Sequence, residues 1–252
     1  MQNIQTTVAR ETVLCYTKFR TNSIESCITY GDSEKGSASM IGASTTIFCK
    51  NNPNIKIKVL PGHFAMTHSH TNYYVDIMDV KTSQAEALQA ATTLADIYNY
   101  QQTVDTIMCM DGSEIVGAYM AMKMSQSGIF TLNGKEDIHV ITAENENSRQ
   151  MIIRDNIQPM IKGKKVLILA GSVLTGKNVM RAIRCIEYYG GEVVGIAAIF
   201  SIAEKIAGLP VSHLFDTSDI PDYHACDYTE CTMCKAGAKI DALANCYGYS
   251  KL

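Results

Sequence analysis

Two loops, a histidine-bearing segment and a group of cysteines hold the residue types in this chain that can do chemistry. The run Ala170-Gly171-Ser172-Val173-Leu174-Thr175-Gly176-Lys177 leads from an apolar stretch into an amphipathic one. Thr175, Gly176, Lys177 and Asn178 fall where a helix should begin. Their N–H groups and the Thr175 hydroxyl are placed to cradle a phosphate, assisted by the helix dipole. The glycine and lysine spacing is not that of a Walker loop. An ordinary helix start with a polar cap is the bland alternative. Asp111-Gly112-Ser113-Glu114-Ile115-Val116-Gly117 is a second glycine-bearing loop, where backbone N–H groups can approach an anion at a helix start. A plain strand-to-helix turn explains that loop equally well.

Four of the nine cysteines crowd the C-terminus: Cys226, Cys231, Cys234 and Cys246. Four thiolates suit tetrahedral Zn²⁺, and His224 could replace one of them. The spacing also resembles a ferredoxin cluster run, but the surrounding chain is unlike a ferredoxin. The alternative is a set of reduced, partly buried thiols. His63, His68 and His70 lie close in sequence, and His68 and His70 could line a ligand pocket. As a metal motif, His-x-His alone is a weak signal.

The elements that must position these residues are readable from about Ser83 onward. Ser83 and Glu86 have capping-box spacing, and Leu88, Ala91, Ala95 and Tyr98 follow at helical intervals. Val104 to Cys109 reads as a buried strand, Ile115 to Ser125 as a helix, and Ile138 to Thr142 as the next strand. Val166 to Ala170 is a continuous apolar strand, Gly171 to Lys177 a loop, and Asn178 to Tyr189 a helix with Val179, Ile183 and Ile186 on one face. Gly190-Gly191 ends that helix, and Val193 to Ile199 is a second apolar strand. Strand, crossover helix and strand make a βαβ unit. The fold class is therefore α/β, with an open, mostly parallel sheet and helices on both faces. Ligands in such sheets bind beyond the carboxyl ends of the strands. Three regions are expected: an irregular N-terminal hood over residues 1–60, an α/β core over 61–215, and a cysteine-rich C-terminal hood segment over 216–252.

Composition narrows the function. The 252 residues carry a formal net charge of -3, so no global basic field draws the chain to nucleic acid. No apolar run approaches the roughly 20 residues that span a bilayer, and Met1 to Arg10 is polar, unlike a signal peptide. A cytoplasmic protein without a disulfide framework is expected. No Gly-x-Gly-x-x-Gly follows a strand, which argues against a Rossmann dehydrogenase.

In the order of these segments the chain resembles the type I phosphoribosyltransferases, and among them the orotate phosphoribosyltransferases. Val166 to Leu169 matches the family's apolar strand, and Thr175-Gly176 the end of its Thr/Ser-Thr-Gly loop. His63-Phe64 and His70-Thr71-Asn72-Tyr73-Tyr74 resemble the orotate-enzyme segment His-Ser-Asp-x-Tyr. Asp111 to Gly117 resembles the loop that holds pyrophosphate, so Asp111, Gly112, Ser113 and Glu114 become candidates for that role. Cys231-Thr232-Met233-Cys234 resembles a Cys-x-x-Cys tail of some orotate enzymes. The likeness runs over about residues 60 to 240. It implies phosphoribosyl transfer from phosphoribosyl diphosphate to an orotate-like base, with Mg²⁺, within pyrimidine nucleotide metabolism. It also implies a homodimer, to which the apolar, Met-rich stretch Ile115 to Met124 could contribute. His70 and Tyr74 become candidates for a base or ligand pocket.

The departures fall on the charged residues. The family's acidic pair, which holds the ribose hydroxyls, falls on Ala170 and Gly171. The basic residues expected after the strand at Ile138 fall on Thr142 and Ala143, and the lysine before the His-Ser-Asp segment falls on Ser69. Some basic residues remain nearby, Arg149, Arg154, Lys162 and Lys177, and the two arginines read as solvated surface or as substitutes. Weak or lost transfer is therefore expected. The alternative is a non-catalytic protein that binds a phosphate, a nucleotide or phosphoribosyl diphosphate on the same fold.

Overall fold

The computed structural model of the chain describes residues 41–67, 69–98, 102–126, 132–134, 137–146 and 150–252. His68, Arg149 and the first two-thirds of the expected N-terminal hood lie outside the described residues.

One six-stranded sheet carries the core. It is built from β4 (Thr106–Cys109), β5 (His139–Thr142), β8 (Lys165–Val173), β9 (Glu192–Ser201), β10 (Lys205–Ile206) and β11 (Leu209–Asp216), in the order β10-β11-β9-β8-β4-β5. All neighbours pair in parallel except β10 with β11. Between β5 and β8 a short antiparallel pair, β6 (Glu144–Glu146) and β7 (Gln150–Ile152), forms its own two-stranded ribbon. Five α-helices lie among the described residues: α1 (Met78–Thr82), α2 (Gln84–Tyr98), α3 (Glu114–Ser125), α4 (Lys177–Tyr188) and α5 (Thr232–Lys235).

The sheet is parallel because both of its faces are covered. Strand β8 is buried from Val166 to Gly171, with no polar alternation. Its side chains nevertheless alternate in direction. Leu167 and Leu169 enter the apolar cluster shared with α2 and α3, whereas Val166, Ile168 and Ala170 enter the one shared with α4. Helix α2 buries Ala87, Ala90, Ala91, Leu94, Ala95 and Tyr98, a stripe at helical spacing. Helix α4 buries Val179, Ala182, Ile183, Cys185 and Ile186. The α/β class expected from the sequence is what folds.

A second six-stranded sheet combines the two ends of the described chain. It holds β1 (Thr45–Phe48), β2 (Lys56–Ala65), β3 (His70–Asp76), β12 (Ala225–Cys226), β13 (Ala242–Asn245) and β14 (Gly248–Lys251), in the order β12-β3-β2-β13-β14, with β1 also on β2. The boundary expected at residue 60 falls inside β2, and residues 61–76 belong with this sheet rather than with the core. No helix among the described residues is long and apolar enough to cross a membrane.

One element differs from the sequence reading in a way that matters to the site. The loop expected from Gly171 starts later, because β8 continues to Val173. Ser172 pairs with Phe200 and Val173 with Ser201, so the long apolar strand β9 draws three further residues into the ladder.

Candidate functional site

A cavity of ≈ 220 Å³ opens at the carboxyl end of β8, between the core and the second sheet. The core contributes Asp111 and the stretch from Ser172 to Val179. The second sheet contributes Ser69, Tyr74 and Cys246, and the segment between the sheets contributes Ile77 and Lys81. Its place beyond the strand ends is the one that open parallel sheets use for ligands.

All four residues of the candidate phosphate loop line this cavity: Thr175, Gly176, Lys177 and Asn178. Gly176 is the N-cap of α4 with φ 70°, a left-handed conformation that favours glycine. No side chain caps the helix, so its first-turn N–H groups are left to solvent or to a ligand. The Lys177 Nζ stands 3.5 Å from the Asp227 carboxylate, a mostly exposed pair and therefore weak.

The Asp111 loop is built differently from the anion cradle its glycines suggested. Asp111 (φ 58°) and Gly112 (φ 76°) are both left-handed and make a tight turn closed by the Ser113 N–H donating to Met110 O at 3.2 Å. Ser113 is fully buried, and its Oγ donates to Leu169 O at 3.0 Å. Glu114 is exposed at the head of α3. Gly117 serves packing: a Cβ there would collide with the Cys109 Sγ. Of the four candidate pyrophosphate residues, only Asp111 reaches the cavity lining.

The two positions of the degenerate acidic pair have opposite surroundings. Ala170 is 1% exposed and packs in the α4-side cluster. Gly171 faces the other way. A Cβ there would lie 3.2 Å from Ile77 Cδ1 and 3.3 Å from Asp111 Cβ. Asp111 thus occupies the space into which a side chain at 171 would grow. Burial pushes the Asp111 carboxyl above the ordinary carboxylate range, against the pull of the Lys81 charge and of the Ser172 N–H. Burial likewise lowers Lys81, which is 3% exposed and donates its Nζ to Cys246 O at 2.6 Å. Among the residues lining the cavity, Asp111 is the one carboxylate. Lys81 is a buried cation there that nothing in the local sequence distinguishes from a surface lysine.

The remaining charged positions stay away from the cavity. Thr142 ends β5 exposed, and Ala143 packs against the α4-side cluster. Arg154 pairs with Glu144 at 2.6 Å on the surface, and Lys162 is exposed. Ser69 does line the cavity, and is 4% exposed.

His70 and Tyr74 separate. Tyr74 lines the cavity, packed against Tyr249 with ring centroids 5.1 Å apart, and burial raises its hydroxyl pKa. His70, four residues and roughly 13 Å back along the strand, enters a second group. There His63 Nε2 lies 3.1 Å from His70 Nδ1, Cys231 Sγ lies 3.5 Å from His63 Nε2, and Cys234 Sγ lies 3.6 Å from His63 Nε2 and 3.3 Å from His70 Nδ1. All four ligand atoms fall within 4.8 Å of one another. Burial lowers the pKa of His70, with the nearby His63 acting in the same direction. The four-cysteine set read from spacing is not assembled. Cys246 lines the cavity instead, and Cys226 stands beside this group with its thiol near Cys231. Counting cysteines shows spacing but not direction. The signal that could have found the pair of imidazoles is a histidine on each side of a hairpin turn, with a Cys-x-x-Cys elsewhere.

No family model matches the chain. It is 26% identical over 182 residues to the orotate phosphoribosyltransferase of Desulforamulus reducens, covering 71% of this chain and 86% of that protein. The orotate phosphoribosyltransferase of Campylobacter jejuni is 27% identical over 194 residues, covering 71% of this chain and 89% of that protein. Among solved structures, the orotate phosphoribosyltransferase of Mycobacterium tuberculosis superposes with a TM-score of 0.43 and 18% identity, over 60% of this chain and 85% of the other.

Proposed function

This chain is orotate phosphoribosyltransferase-like, and from that premise we propose that it binds a small phosphate-bearing anion in the β8 cavity while phosphoribosyl transfer is weak or lost. The ligand is inorganic phosphate, a nucleotide or phosphoribosyl diphosphate. Its phosphate sits on Thr175, Gly176, Lys177 and Asn178.

The packing at Gly171 carries this reading. In the resembling enzymes an acidic pair faces the ribose where Ala170 and Gly171 stand here. Ala170 is sealed into the core, and a side chain at 171 would press on Asp111 and Ile77. The carboxylate that remains belongs to another loop, and its burial favours the neutral form. Mg²⁺ takes hard oxygen ligands, commonly carboxylates, so the lining residues fit it poorly. A transition state with positive character at the ribose loses most of its electrostatic support here.

One observation favours a second reading, in which Asp111 itself takes the part of the missing acids. Its side chain abuts Gly171, and the Ser172 N–H bonds to its carboxylate. Residual transfer by this route would depend on Asp111 alone.

The homodimer and the cytoplasmic setting belong to the same proposal. Val116, Met120, Ala121 and Met124 of α3 are spent inside the core, which leaves Ile115 and Met122 outward for a second copy. Light scattering at micromolar concentration should give twice the chain mass, and a monomer removes the dimer from the proposal.

Two measurements test the main reading. Calorimetric titration with ribose 5-phosphate and with phosphoribosyl diphosphate should show binding, and no heat with either ligand removes the phosphate site. An assay with orotate, phosphoribosyl diphosphate and Mg²⁺ should show little or no loss of orotate. Turnover near ~1 s⁻¹, within the ordinary enzyme range, overturns the claim of lost activity.

A further inference from the structure

Outside the cavity, the chain gathers two imidazoles and two thiols whose N···S contacts span 164 to 171 residues of sequence. We propose that His63, His70, Cys231 and Cys234 hold one structural Zn²⁺ in tetrahedral coordination, through His63 Nε2, His70 Nδ1 and the two Sγ atoms.

Four of the six edges between these ligand atoms have the lengths of a coordination tetrahedron, and the other two lie within 4.8 Å. Zn–S of ~2.3 Å and Zn–N of ~2.05 Å imply N···N edges of about 3.3 Å and N···S edges of about 3.5 Å. The observed N···N edge is 3.1 Å, and the observed N···S edges are 3.3, 3.5 and 3.6 Å. Two thiols and two imidazoles form a soft N₂S₂ donor set, which suits Zn²⁺ and not Mg²⁺ or Ca²⁺. The His63 tautomer is fixed from behind as well. Its Nδ1 lies 3.0 Å from Lys239 O, a carbonyl that can only accept, so the ring proton sits on Nδ1 and Nε2 presents its lone pair.

The segment that supplies the thiols needs such a staple. Between residues 221 and 241, Cys231 is the one buried residue. Its first residues are held by Tyr223 packed on Phe200 and by the pairing of β12 with β3, but from residue 227 onward the stretch has no apolar core of its own to hold it down. Beyond it, β13 pairs with β2 through only Ala242–Phe64 and Leu243–Ala65. That strand nevertheless delivers Ala244, Asn245 and Cys246 to the cavity wall. A zinc ion joining the β2–β3 hairpin to the Cys-x-x-Cys turn fixes the start of this segment, and through it the wall. The inference does not depend on what the cavity binds.

The test uses full-length, tag-free protein purified under reducing conditions without chelator. Elemental analysis should give one zinc per chain. Exchange for Co²⁺ should give the visible bands of tetrahedral cobalt and a thiolate-to-cobalt charge-transfer band. Cys234→Ser, at an exposed ligand, should lose at least tenfold in zinc affinity. Cys226→Ser should keep the metal, since Cys226 stands outside the four. Protein that is zinc-free as purified and gives no tetrahedral cobalt spectrum overturns the proposal. So does a Cys226→Ser variant that loses zinc as readily as Cys234→Ser, or a Cys231–Cys234 disulfide found by mass spectrometry in the reduced preparation.

Discussion

Asp111 and Gly171 share one space: a Cβ on Gly171 would lie 3.3 Å from the Cβ of Asp111, tighter than ordinary van der Waals contact. The one carboxylate among the cavity-lining residues thus comes from the loop after β4 and not from β8. Restoring an acid at the strand position then meets both steric and charge opposition. Gly171→Asp should destabilise the protein by about 1–3 kcal/mol through overpacking. It should also fail to raise orotate turnover, because two carboxylates in one small space resist ionising together. Urea unfolding and the orotate assay check this together. A variant as stable as the parent that turns over orotate would show that the space is more yielding than the packing implies.

The charge on Asp111 gives a pH-dependent prediction. Its pKa is raised in the folded state, mainly by burial. The neutral form therefore favours folding. That contribution is fully present below the unfolded value near 3.8 and is lost as the pH rises through the folded value. At pH 7 the ionised group weakens the fold, and Asp111→Asn should stabilise it by about 1 kcal/mol. The gain should shrink steadily as the pH is lowered toward 4. Chemical denaturation from pH 8 to pH 4 reads this directly. A gain that grows on acidification would mean that the Lys81 pairing outweighs burial.

Much of the core was legible because its signals are local. Val166 to Ala170 and Val193 to Ile199 announce buried strands by composition alone, and the spacing of Val179, Ile183 and Ile186 announces α4. The extension of β8 through Val173 was not legible, because it depends on pairing with Phe200 and Ser201. The loop that leads from β8 into α4 was readable from its position between strand and helix. The Asp111 turn was only half readable, since Gly117 looked like a loop glycine and is a packing contact with Cys109. The burial of Lys81 and the meeting of His63 with Cys231 are set by long-range register. Neither leaves a mark in any short window of sequence.

Ser113 separates a structural from a ligand-binding role for its loop. Its Oγ donates to Leu169 O, which also accepts from the Met110 N–H. Because that carbonyl keeps a second donor, Ser113→Ala should cost only about 1 kcal/mol of stability. Affinity for ribose 5-phosphate should be unchanged, since the side chain is buried away from the cavity. A selective loss of ligand affinity with normal stability would return the loop to the role of an anion cradle.

Thr175 gives the sharpest test of the phosphate site. Gly176 looks like the natural target, but its φ of 70° and the 3.2 Å approach of Ile206 Cδ1 to an added Cβ mean that any side chain there strains the backbone. Lost binding in such a variant would not distinguish a blocked cradle from a distorted one. Thr175 is exposed at the cavity lining, so Thr175→Val keeps the shape and removes only the hydroxyl. Hydrogen bonds to charged groups contribute about 1.5–3 kcal/mol, so affinity for ribose 5-phosphate should fall at least roughly tenfold. The melting temperature should stay where it was, because no buried contact is lost. Any weaker interaction with the sugar or the base should be untouched, so ribose and orotate serve as ligands that the substitution leaves alone. Equal loss for ribose and ribose 5-phosphate would mean that the hydroxyl contacts the sugar. No loss for either would place the phosphate elsewhere in the cavity, with Lys81 the remaining buried cation to hold it.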